Sequence, residues 1–278
     1  MLGTAAGLVA GGKSWEDFSL KKDNYELEAR MVEQLREQVG NLLAAAQLLT
    51  PAIREQEERK YEQYLAILNQ GLYRLLRLTE HADLYQRQEL ARRKELVEVQ
   101  EFCRTLGAQV EGVSQNLGVA FQWECQGKET TVEADRTLLE RLILMLLEDA
   151  LRAAGRGGRA GLRTAGDENR VRITVWDDGE RTALPGREPP EESPLLWREK
   201  RPEVELARAM AAANGGALVY ERGEERGMRA VLSFPAARNP EAFHTPRMGY
   251  DATGGFQTLL VELSDLLPYQ AYLPEELE

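Results

Sequence analysis

Residues 24–49 place apolar side chains at steps of three and four. Leu27, Met31, Leu35, Val39, Leu42, Ala46 and Leu49 fall on one stripe, which predicts a helix. Asn24 or Asp23 is positioned to cap its start, and Thr50-Pro51 ends it, because the residue before proline avoids the α region. A second helix is predicted over residues 52–86, with Tyr61, Leu65, Leu68, Leu72, Leu75 and Thr79 as its stripe. Two long helices joined by so few residues fold back as an antiparallel hairpin. The two stripes are too wide to cover one another. Either a second copy completes a four-helix bundle, or the rest of the chain folds over the hairpin. The first arrangement predicts a homodimer through Leu35, Val39, Leu42, Leu65, Leu68 and Leu72.

The pattern changes near residue 90. Short strands are predicted at 95–99, 119–123 and 131–132, with a helix over 101–117 between the first two. Asp135 then caps a strongly apolar helix over 136–154, which the glycines of 155–158 stop. Strands at 162–164 and 171–176 suggest a hairpin. Residues 180–201 hold Pro185, Pro189, Pro190 and Pro194 among many charges and read as a long irregular loop. A helix over 202–213 starts on proline and ends at Asn214-Gly215-Gly216. Strands at 217–220 and 228–234 close the pattern. The mixture predicts an α+β sandwich, one sheet covered by helices. The chain therefore divides into an N-terminal segment (1–23), a dimerising helical hairpin (24–88), an α+β domain (89–237) and a C-terminal linker with an amphipathic helix (238–278). In the last part, Phe256, Leu259, Leu260, Leu263, Leu266 and Leu267 form one apolar face over 255–267, ended by Pro268. That face either docks on the rest of the chain or lies in a partner's groove.

Composition narrows the function. At 278 residues the chain has room for about two domains. A net charge of −11 argues against non-specific binding to nucleic acid or to an anionic membrane. Cys103 and Cys125 are not spaced as a zinc knuckle or a redox pair and read as buried thiols of a reducing compartment. The only histidines, His81 and His244, exclude any mechanism that needs a histidine cluster, and no metal site is expected. No apolar run approaches the roughly 20 residues of a membrane span, and the Gly-rich first residues lack a basic region. A cytoplasmic location is the expectation.

The order of elements resembles the core of a sensor histidine kinase: a dimerising helical hairpin followed by an ATPase-like α+β sandwich of the gyrase–Hsp90–kinase–MutL type. Residues 135–154 resemble the helix that bears the family's asparagine motif. Arg172-Ile173-Thr174-Val175-Trp176 leads into Asp177-Asp178-Gly179, which resembles the first glycine motif. Residues 205–216 resemble the helix after the second glycine motif and its closing turn. The resemblance implies ATP with magnesium as the ligand, Asp177 and Gly179 against the adenine, and Asp149 at the magnesium-binding asparagine. It also implies a response-regulator receiver domain as partner.

The departures from the family pattern are concentrated where the chemistry would be. Glu33, in Glu33-Gln34-Leu35-Arg36, stands at the phosphoacceptor position, and a carboxylate cannot form the phosphoramidate that histidine forms. His81 lies too late in the second helix to replace it and reads as a solvated or packing side chain. The two asparagine positions hold Met145 and Asp149. Arg181 replaces the next glycine of the first motif. The second motif falls on Arg201-Pro202-Glu203, where proline has no N–H for a phosphate and Glu203 repels one. The expectation is a degenerate, pseudokinase-type module of two-component signalling with no catalytic residue. Asp149, Asp177 and Gly179 are then vestigial, with room only for weak ATP and magnesium binding. The competing reading is an active ATP-dependent kinase that holds its nucleotide through Asp149 and Asp177 in an unusual way. A third is a nucleotide-sensing module without chemistry.

Overall fold

The computed structural model describes residues 60–86, 90–91, 93–127, 130–179, 202–223, 226–237 and 257–277, together with scattered positions between 32 and 53. Those scattered positions, among them Leu35, Arg36, Val39, Leu42 and Ala46, are helical. Arg36 lies 3.5 Å from Asp83 of the next helix, α1 (Lys60–Gln86), as an antiparallel hairpin requires. The loop expected at 180–201, the capping position at 23–24 and His244 lie outside the described residues.

After α1 come β1 (Glu95–Glu98), α2 (Val99–Leu117), β2 (Ala120–Gly127), β3 (Thr131–Ala134) and α3 (Arg136–Ala154). Then follow β4 (Arg159–Gly166), β5 (Arg170–Asp177), α4 (Pro202–Ala213), β6 (Ala217–Arg222), β7 (Met228–Pro235) and α5 (Thr258–Glu262). The main sheet has five strands in the order β2-β4-β5-β7-β6, with β2–β4 parallel and the other pairs antiparallel. β1 and β3 form a separate antiparallel pair.

One face of the sheet is apolar because the strands alternate. Val171, Ile173 and Val175 of β5 lie opposite Phe234, Leu232 and Ala230 of β7, and all six are buried. Helices cover this face, with α2 on β2, α3 on β4 and β5, and α4 on β6. α3 forms the centre of the core. Leu139, Leu142, Ile143, Leu144 and Leu147 are fully buried, each contributing about 1.5–3 kcal/mol. Asp135 starts it as expected, its carboxylate accepting from the Leu138 N–H at 3.1 Å. α2 begins two residues earlier than its apolar pattern suggests, because the Glu98 carboxylate accepts from the N–H groups of Gln100 and Glu101.

Two expectations need correction. The helix at 255–267 is only five residues long, after which the chain turns through Leu263–Leu267 and continues in short 3-10 turns at Tyr269–Tyr272 and Pro274–Glu276. One apolar stripe is not its organising feature, because Val261 and Glu262 are buried together with Leu259, Leu260 and Leu263. Cys103 is a buried free thiol, with burial pushing its pKa up, but Cys125 is only half-buried.

The hairpin stripe divides in two. Val39, Leu65 and Leu72 are buried within the single chain. Leu35, Leu42 and Leu68 are each more than half exposed, at 54%, 54% and 51%. Segment 257–277 lies against α1 and α3, so part of the chain does fold over one face of the hairpin.

Candidate functional site

A cavity of about 310 Å³ opens where α1, α3, α4 and segment 257–277 meet. Met145 and Asp149 line it from α3; their four-residue spacing puts both on one helix face. Glu203 enters from the first turn of α4, where Pro202 opens the helix and the carboxylate favours the helix dipole. Arg77 and His81 enter from α1, and Glu262 and Asp265 from segment 257–277.

The cations in this wall already face carboxylates. Arg77 donates to Asp265 at 2.8 Å and lies 4.0 Å from Glu148. Arg152 donates to Glu148 one helical turn away. His81 Nε2 lies 2.8 Å from Glu262 Oε2. Tyr85, farther along α1, has its pKa pushed up to about 12 by burial and by the Glu203 and Glu205 carboxylates. The cavity is thus bordered by Glu148, Asp149, Glu203, Glu262 and Asp265, an unfavourable lining for a polyanion.

Asp177 and Gly179 are not in that wall. Asp177 is buried, and one carboxylate oxygen accepts from the Gly179 N–H at 3.1 Å. A Cβ on Gly179 would lie 1.9 Å from the Ala153 carbonyl oxygen, so the backbone here is pressed against the end of α3. Gly227, at φ +74°, closes the other side; a Cβ there would lie 1.9 Å from the Asp177 carbonyl oxygen. Asp178 accepts from the Arg159 backbone at 2.7 Å, from its side chain at 2.9 Å and from Arg226 at 3.1 Å. Burial pushes the Asp178 carboxyl up, but these donors outweigh it and hold it below its ordinary value. Glu33, Arg181 and Arg201 lie outside the described residues. Among the described residues no group of three or more His, Cys, Asp or Glu side chains is placed to hold a metal ion.

Sequence reasoning missed the buried ion network beside the cavity. Glu262 is fully buried, with His81 on one side and Arg141 Nε 3.4 Å from Oε1 on the other. The Arg141 approach is an ion pair without hydrogen-bond geometry. Arg141 also donates to Glu80, which is itself buried. Burial alone would raise the Glu262 pKa, but His81, Arg141 and Arg77 together hold it below its ordinary value of 4.5. Two signals were available. One was a single glutamate inside the apolar run 259–263. The other was Gln70, Arg74, Arg77 and His81, spaced as a polar stripe on one face of α1.

No protein-family model and no curated protein matches the chain. Solved structures do. Full-length ShkA in complex with AMPPNP is 18% identical, with a TM-score of 0.57 over 76% of this chain and 46% of that one. Histidine kinase ThkA in complex with response regulator protein TrrA is 17% identical, with a TM-score of 0.51 over 82% of this chain and 67% of that one. At these identities the likeness establishes the fold. The chain has the fold of a sensor histidine kinase core, a helical hairpin followed by an ATPase-like α+β sandwich. No described helix is long and apolar enough to cross a membrane.

Proposed function

We propose that this chain is a histidine-kinase-like module of two-component signalling that works as a dimer by protein–protein contact and does not autophosphorylate. The observation that carries the reading is the lining of the cavity at the asparagine-motif positions. Met145 and Asp149 face it, Glu203 occupies the helix start where a phosphate would need N–H donors, and Glu262 and Asp265 add further carboxylates. Glu33 at the phosphoacceptor register supports the same reading.

Dimerisation rests on the uncovered face of the hairpin. Leu35, Leu42 and Leu49 of its first helix and Leu68, Leu75 and Leu78 of α1 are all about half exposed or more. A contiguous apolar surface of this kind marks an interaction site. A response-regulator receiver domain is the proposed partner, in keeping with the ThkA complex with a response regulator.

The deciding experiment is a calorimetric titration with ATP and magnesium. The expected dissociation constant is weaker than about 1 mM, or less than roughly 4 kcal/mol of binding. Incubation with labelled ATP should leave no acid-labile phosphate on the protein. A micromolar constant that weakens on Asp149→Ala or Asp177→Asn would establish the competing reading, a working kinase with an unusual site.

A further inference from the structure

Segment 257–277 is gripped by side chains from two separate parts of the chain. From α1, Asn69 donates to the Tyr272 carbonyl at 3.3 Å, Gln70 to the Leu267 carbonyl at 2.6 Å and Arg74 to the Ser264 carbonyl at 3.0 Å. Arg77 pairs with Asp265 at 2.8 Å. From the α+β domain, Arg141 of α3 faces Glu262, which also bonds His81 of α1. Apolar anchors fill the gaps between these contacts. Leu260, Val261 and Leu263 are buried, and the Tyr272 ring packs tilted against Tyr73 with ring centroids 5.1 Å apart.

These contacts recognise the segment much as a groove recognises a bound peptide, through backbone carbonyls, buried anchors and one buried charge. α1 packs on the segment and the segment packs on α3, so it bridges the hairpin and the domain beside their direct Arg141–Glu80 pair. Its own helix is five residues, too short to persist without the surfaces on either side.

We propose that segment 257–277 is an intramolecular strap that fixes the ATPase-like domain against the hairpin, and that its release frees the two to move relative to one another. Glu262 is the buckle, since one carboxylate bonds His81 on the hairpin and faces Arg141 on the domain. The strap can open as a unit because its contacts are to side chains of α1 and α3 and not to the ladders of the main sheet. The inference does not depend on whether the cavity binds nucleotide.

The test uses the full-length chain with spin labels at Gln63→Cys and Glu168→Cys in a Cys125→Ser background, diluted with unlabelled protein. Labelled wild-type protein should give one narrow distance distribution. Leu263→Asp should widen it and cut amide protection across 257–277 by at least 100-fold, while β4, β5 and β7 keep their protection. A peptide of residues 257–277 added in trans should narrow the distribution again. Gln70→Ala combined with Arg74→Ala should produce the same changes in smaller degree from outside the segment. The proposal is overturned if the distribution stays narrow while the segment exchanges freely. It is equally overturned if β4, β5 and β7 lose protection by the same factor, since the segment would then belong to the core. No change of exchange in the Gln70, Arg74 double variant would likewise overturn it, because those bonds hold the segment to α1.

Discussion

α1 has two faces of opposite character. One carries Asn69, Gln70, Arg77 and His81 beside Leu65, Leu72 and Leu76, and it is covered by segment 257–277 and the first helix. The other carries Tyr64, Ile67, Leu68, Leu75 and Leu78, and no described residue covers it. The more polar face is the buried one. Its polar groups have fixed intramolecular partners, so their burial is compensated. The bare face offers only apolar area, which favours any surface that removes it from water but specifies geometry weakly. The same helix thus makes a specific internal contact and presents a general external one.

Substitutions on the two faces should separate stability from assembly. The largest effect on stability is expected from Glu262→Ala, which leaves Arg141 and His81 facing an unfilled buried site. Loss of one partner of a buried ion network costs about 3–5 kcal/mol, to be read from the denaturant midpoint. Leu68→Glu should do the opposite. Because Leu68 is 51% exposed, the charge stays solvated in a monomer and stability should change by less than about 0.5 kcal/mol. In a dimer the same charge would be buried, so the dissociation constant should rise by about 100-fold or more. Light scattering checks this, and a wild-type protein that is already monomeric at micromolar concentration would remove the dimer altogether. Gln70→Ala deletes hydrogen bonds to the Leu267 and Ser264 carbonyls and should cost about 1–2 kcal/mol without touching assembly.

Acidification is expected to act most weakly and on the covered face alone. The Glu262 pKa is held below its ordinary 4.5, with His81, Arg141, Glu80, Arg77, Glu148 and Asp265 as the charged groups around it. A depressed carboxyl contributes stability that is complete above the unfolded value and is lost as pH falls through the folded one. Protection of 257–277, measured against the intrinsic exchange rate at each pH, should therefore fall below about pH 4.5 before that of the sheet does. Unchanged protection down to the pH of global unfolding would contradict this.

The elements of the domain were legible because their patterns are local. Asp135 before an apolar run, the alternation of β5 and β7, and proline at the start of α4 each act within a few residues. What the sequence concealed is contact at long range. Period-3.6 reasoning assigned 255–267 a stripe, yet the segment touches helices on several sides, so no single face is its buried one. The hairpin stripe was read as one surface, although Leu65 and Leu68 point to different environments. Met145 and Asp149, four residues apart on α3, line one cavity, as their shared helix face requires. Asp177 and Gly179 were expected to share that site. They lie outside its wall, where a Cβ on Gly179 would meet the Ala153 carbonyl oxygen at 1.9 Å.

The bond between Asn69 and Tyr272 spans 203 residues. A ribosome adding about 5–20 residues per second needs roughly 10–40 s to cover that interval. For that time α1 exists without the segment that will cover it, and Asn69, Gln70 and Arg74 remain in water. The arrival of segment 257–277 occupies one face and leaves Leu68, Leu75 and Leu78 exposed on the other. The order of synthesis therefore bears on which surface of the hairpin becomes internal.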